Sequence, residues 1–195
     1  MASWSEFSAA SPGLAEAVRA LIEQYGPGLG YLATVRADGG PRVHPVSPVI
    51  TDEGLFCFVL DSPKRRDLER DGRYALHSFP PEDSDDEAYL AGRARPVTDP
   101  AEIHSVASRV RAAPYVDWRL FEFTVDVAMV ARHRRTAGGG RGMAAASHPT
   151  VLLWRDPARR PPTQRSGGGP VGGGLPSGRR GRRRAGGTRS RGGDA

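Results

Sequence analysis

Apolar residues recur at helical spacing through "LAEAVRALIEQYG", where Leu14, Ala17, Val18, Leu21 and Ile22 fall on one face. Gly26, with Pro27 behind it, closes that helix. The pattern then changes. The runs "LGYLATVR", "PRVHPVSPVIT" and "LFCFVLD" are rich in β-branched and aromatic residues and are parted by "ADGG" and "DEG", which predicts consecutive hairpins in an antiparallel meander. Pro45 and Pro48 lie inside the second run, and proline cannot donate to a ladder, so that strand is expected at an edge or at a bulge. "SPKRRDLERD" predicts a short helix with Ser62 as N-cap and Pro63 at the first helical position. It leads into a strand, "RYALHSF". After an acidic loop come the strand "AYLAGRARPV", a helix capped by Asp99 and a last strand, "RLFEFTVDVAMVAR". Six strands with helices only at the start and between strands predict a mainly β (α+β) fold, a small antiparallel barrel, not a parallel α/β sheet.

Charge then divides the chain. Residues 1–131 carry 13 basic and 20 acidic side chains, a net of −7, whereas residues 132–195 carry 15 arginines against Asp156 and Asp194, a net of +13. Of the 25 glycines, 16 follow residue 131. This predicts a domain over 1–131 and a basic, low-complexity tail over 132–195 that is too poor in apolar residues to order itself. Within the tail, "PTVLLWRDP" (149–157) is a candidate closing strand. Three readings of the remainder stay open: a plain solvated extension, an Arg/Gly segment that contacts nucleic acid through phosphates, or GC-rich coding sequence read out of frame. The N-terminal residues lack the charged start and continuous apolar core of a secretory signal, and no run approaches the length of a membrane span. The expectation is a cytoplasmic protein with no membrane contact.

Candidate chemistry gathers around Lys64, the only lysine among 28 basic residues. Period-two geometry puts Arg42, His44 and Val46 on one face of their strand. The strand ending at Asp61 can bring the turn from Ser62 to Arg65 beside Arg42. A guanidinium, a hydroxyl, an ammonium and the free N–H groups of a helix start together suit a phosphate. The competing reading is a solvated basic turn in which Lys64, Arg65 and Arg66 pair weakly with Asp67 and Glu69. Cys57 reads as a small buried hydrophobe, since nothing around it in the sequence lowers its pKa. Five scattered histidines without paired spacing or accompanying thiolates predict no metal site.

The order helix, "GYLATVRADGGPRVHPV", "DEGLFCFVLDSPKRRDLERDGRYALHS", "AGRARPV" resembles the pyridoxamine 5′-phosphate oxidase-like family of split β-barrels over about residues 14–130. That resemblance implies a six-stranded split barrel that binds FMN, or a deazaflavin in its place. It also implies a homodimer with the cofactor at the interface and a flavin-dependent oxidoreductase acting on a small molecule. Arg42 would reach the flavin phosphate with Ser62 and Lys64, Phe58 and Val59 would lie along the ring, and His44 falls on the cofactor side of the Arg42 strand. Pro63 departs from the basic residue often found between the serine and the lysine. No copy of the family's C-terminal substrate-binding motif is found, which argues against pyridoxamine phosphate as substrate. His44 and His77 are candidates for handling protons or bonding the ring, and no catalytic residue is assigned. The alternative is a non-catalytic flavin-, deazaflavin- or haem-binding sensor or carrier, because this barrel serves several functions.

Overall fold

The structure is a computed structural model that describes residues 1–110, 116–133 and 148–159. Two helices open the chain. The first, α1 (Trp4–Ala10), was not expected; it starts with a reciprocal cap in which Ser3 Oγ accepts from Glu6 N at 3.1 Å and Glu6 Oε2 from Ser3 N at 2.7 Å. The second, α2 (Pro12–Ile22), buries every residue of the predicted apolar face.

The strands are β1 (Gly30–Val35), β2 (Pro41–Val46), β3 (Pro48–Ile50), β4 (Leu55–Leu60), β5 (Arg73–Ser78), β6 (Glu87–Pro96), β7 (Trp118–Arg132) and β8 (Thr150–Arg155). Helices α3 (Pro63–Asp71) and α4 (Pro100–Val110) interrupt them. Asp99 Oδ1 accepts from Ala101 N at 3.0 Å at the start of α4, the expected cap. All pairings are antiparallel in the order β2-β1-β5-β6-β7-β4-β3, with β8 on the other stretch of β7. The sheet curls into a split half-barrel. The expected second strand is two strands, because Ser47 lets the chain leave β1 and join β4. One bend therefore connects the two ends of the sheet order, and proline on either side of it suits strands that each lack a neighbour on one side. Above this bend, the stretch of β4 beyond Cys57 pairs with β7 alone. A gap opens there between β2 and β4.

Core packing follows strand alternation. Leu32, Val46, Leu55, Cys57, Val59, Leu76, Leu90 and Phe123 point into the concave side, where Trp4, Phe7, Val18 and Ile22 from α1 and α2 fill it. Phe56 and Leu120 point outward into a second cluster with Val97 and Val106, covered by α4. Among the described residues no helix covers the rest of the convex side. Two registered rows cross six strands there: Pro45, Tyr31, His77, Tyr89, Met129 and Leu153, then Val43, Ala33, Ala75, Ala91, Val127 and Arg155. Val43 is 59% exposed and Leu153 54%.

Burial pushes the Cys57 thiol up to about 12, against the opposing charge of Lys64, so the sulfhydryl stays protonated and inert. Among the described residues no helix is long and apolar enough to cross a membrane and no cluster of potential metal ligands occurs. The basic tail beyond residue 159, with the expectations of disorder and nucleic-acid contact attached to it, lies outside the described residues.

Candidate functional site

The notch between β2 and the start of α3 collects the polar groups. Arg42 and His44 point to the concave side, next to Val46 on the same face and opposite Thr34 and Leu32 of β1. From the other side comes α3, whose only apolar residue, Leu68, is buried. Lys64 lies one turn before Leu68 and so sits at the rim of the packed face.

Asp67 anchors this arrangement. It is only 4% exposed, and its Oδ2 accepts from Arg42 Nε at 2.7 Å and from Thr34 Oγ1 at 3.0 Å. Its Oδ1 accepts from both terminal nitrogens of Arg70 at 3.3 Å. Burial alone would raise the Asp67 pKa, but the hydrogen bonds from Arg42 and Thr34, the Arg42 charge and the Arg70 bond outweigh it and hold the carboxyl below its usual value. Asp67, a surface partner of the basic turn in the competing reading, is the buried partner of Arg42. Of the other pairs in that reading, Arg65 does meet Glu69 at 3.4 Å, and Asp117 at 3.1 Å, but with a side chain only 12% exposed, and Arg66 meets Asp61 at 3.2 Å instead.

Three groups remain unmet. Arg42 uses only Nε, so its two terminal nitrogens donate to no described residue. Lys64 has no ion pair or hydrogen bond among the described residues. The Nε2 of His44 is buried without a partner. Lys64, Arg42 and Asp67 all lie near enough to act on that imidazole. Burial, then the Lys64 and Arg42 charges, depress its pKa, and Asp67 opposes them, which leaves the ring neutral at pH 7. One unpaired cation, Lys64, and the unused terminal nitrogens of Arg42, which shares the Asp67 charge with Arg70, lie around a neutral ring beside a helix start.

The remaining predicted residues fall elsewhere. Ser62 is the N-cap of α3, but its hydroxyl donates to Leu60 O at 2.9 Å and caps no helical N–H. Phe58 and Val59 point to opposite sides of β4: Phe58 packs edge-on against Trp118 at 4.7 Å beside the α4 cluster, and Val59 is wholly buried in the concave core. Their two side chains cannot line one flat ligand together. His77 is on the convex side, away from His44, with Nε2 at 2.9 Å from Glu87 and Nδ1 at 2.8 Å from Ser78 O. Inside the barrel, an apolar cavity of about 10 Å³ beside Val46 and Cys57 has room for about one water, so no ring system enters there.

The fold is a split β-barrel, with Arg42, His44 and Lys64 near one another beside the start of α3. The family profile described as Pyridoxamine 5′-phosphate oxidase matches residues 14–137, more than half of the chain. The chain belongs to the pyridoxamine 5′-phosphate oxidase-like family. No curated protein sequence matches it. Among solved structures it is similar to HupZ of Group A Streptococcus, with 19% identity over 63% of this chain and 98% of that one and a TM-score of 0.52. It is also similar to a heme binding protein from Mycobacterium smegmatis, with 20% identity, 71% of this chain, 57% of that one and a TM-score of 0.50. A putative pyridoxamine 5′-phosphate oxidase from Listeria innocua gives 13% identity, 59% and 95% coverage and a TM-score of 0.50. At these identities the likeness is one of fold.

Proposed function

We propose that the notch binds the phosphate of FMN and that the protein is a flavin-dependent oxidoreductase acting on a small molecule. The carrying observation is the pair of unmet groups beside the start of α3: the Arg42 terminal nitrogens and the Lys64 ammonium, both close enough to act on the His44 ring. Arg42 offers a planar fork for two phosphate oxygens and Lys64 a mobile point charge for a third. A deazaflavin that carries a phosphate meets the same grip and is the alternative cofactor. Bound flavin supplies the redox chemistry, while this chain holds the phosphate and orients the ring outside the barrel, where the interior cavity does not constrain it.

A second copy of the chain is the proposed cover for the bare convex face, which supports a homodimer with the cofactor near the interface. The rows are mostly alanine, valine, tyrosine and other apolar residues, the kind of surface that a two-fold contact buries. Ala75 lies at their centre, so Ala75→Glu is expected to convert a dimer to a monomer in analytical ultracentrifugation without altering the far-UV spectrum; a wild-type chain that is already monomeric removes the dimer reading.

Holding haem without turnover is the second reading, and it draws on His44, whose neutral ring is the form that ligates iron. The enclosed Nε2 disfavours it, because iron would need that cover displaced, whereas the longer Arg42 and Lys64 side chains reach a phosphate from where they stand. Titration of purified protein with FMN, a deazaflavin and haemin, followed by visible absorption, separates these readings. The expected result is saturable binding of FMN or the deazaflavin and reduction of that cofactor by an added donor. Saturable haemin binding with neither flavin bound overturns the oxidoreductase reading.

A further inference from the structure

We infer that Asp67 is a positioning residue for the phosphate grip: it acts on the ligand only through Arg42. This rests on the phosphate reading above. A guanidinium has three nitrogens, and which of them faces a ligand depends on what holds the others. Here Nε is committed to Asp67 Oδ2 at 2.7 Å, so the two terminal nitrogens, the pair best matched to two phosphate oxygens, are left for an anion. The anchor is itself held. Thr34 of β1 donates to the same oxygen at 3.0 Å, and Arg70 holds the other oxygen from the next turn of α3. Arg42 thus keeps one orientation without a ligand, and the ordering cost of a long side chain is met during folding instead of during binding. Asp67 also lies three residues after Lys64 on α3, so one helical turn fixes the cation from β2 and supplies the cation from α3.

Two simpler roles compete with this one. Asp67 could be only a latch that ties α3 to the barrel, in which case Arg70 would matter as much as Arg42. It could also act through its charge, which repels a phosphate, and removing that charge would then tighten binding. Riboflavin shares the ring of FMN and lacks the phosphate, so the ratio of the two affinities isolates the grip from the stability of the domain. The ratio is measured by fluorescence quenching for wild type, Asp67→Asn, Arg42→Ala, Arg70→Gln and the Asp67→Asn/Arg42→Ala pair.

The expected result is a fall of about tenfold or more in the FMN-to-riboflavin ratio for Asp67→Asn, the size of one lost charged hydrogen bond. Riboflavin affinity should stay unchanged, and Asp67→Asn should have no further effect once Arg42 is alanine, because a residue acting through another adds nothing in its absence. Arg70→Gln should keep the wild-type ratio. An equal loss in Arg70→Gln, an additive double variant, or tighter FMN binding by Asp67→Asn overturns the inference. Should Asp67→Asn fail to fold, Arg42→Lys replaces it: it keeps the charge and loses the anchored fork, so a wild-type ratio in that variant is equally fatal. A wild-type protein that binds FMN and riboflavin alike removes the phosphate reading and this inference together, whereas a wild-type preference that survives Asp67→Asn removes the inference alone.

Discussion

Arg42→Ala and Lys64→Ala are each expected to weaken FMN binding by about 10- to 100-fold, the loss of a charged hydrogen bond worth about 1.5–3 kcal/mol. Their effects on folding should differ. Lys64 has no partner among the described residues to lose, so its alanine variant should melt within about 0.5 kcal/mol of wild type. Removing Arg42 takes a hydrogen-bonded cation from a buried carboxylate. Because Arg70 and Thr34 still serve Asp67, the cost should fall below the roughly 3–5 kcal/mol seen when a buried charge loses its only partner. Isothermal titration with FMN beside urea unfolding of both variants measures the two effects separately. Unchanged affinity in both would place the phosphate elsewhere. An equal stability loss in both would mean that Lys64 has a structural partner after all.

Gly92→Ala should be among the most damaging single methyl groups in the described domain. A Cβ at Gly92 would lie 2.0 Å from the carbonyl oxygen of Thr124 and 2.9 Å from its carbon, both backbone atoms. The ladder between β6 and β7 slips at this point, where Ala91 pairs with Val127 but Gly92 with Val125, leaving Asp126 as an extra residue. Glycine lets the two backbones approach across that bulge. The same Thr124 oxygen accepts from the buried Tyr74 hydroxyl at 3.0 Å, so pushing the strand away also breaks a bond inside the core. A loss of about 3 kcal/mol or more is expected, read as a fall in the urea midpoint. A variant as stable as wild type would mean that the bulge can widen freely.

Much of the barrel is legible in alternation and turn chemistry. "ADGG" marks the β1–β2 hairpin because Gly39, at φ +82°, takes a conformation that other residues avoid. The apolar spacing of α2 and the Asp99-Pro100 start of α4 are equally plain. By contrast, α1 spans seven residues, too few for a period to show, although its Ser3…Glu6 pair is a start signal that could have been read. The division of "PRVHPVSPVIT" into two strands was half visible: the prolines mark a missing neighbour, but which neighbour each half has depends on the curl of the whole sheet. At the notch, period two places Arg42 and His44 together. Asp67 was hidden because a carboxylate in "KRRDLERD" looks solvated until Leu68 shows which side of α3 is packed, and the long-range contact with Thr34 leaves no local trace. Phe58 and Val59 illustrate the opposite limit, since adjacent strand residues cannot share a face and a family resemblance that names both says nothing about which one turns outward.

Ser47 turns the chain from one end of the sheet order to the other. No ladder bonds tie the upper part of β2 to the upper part of β4, and across that split the Asp67 carboxylate of α3 holds Arg42 of β2. An anion held by Arg42 and Lys64 would work as a second, removable rivet beside that ion pair: the domain would resist uncurling by an amount that rises with ligand concentration.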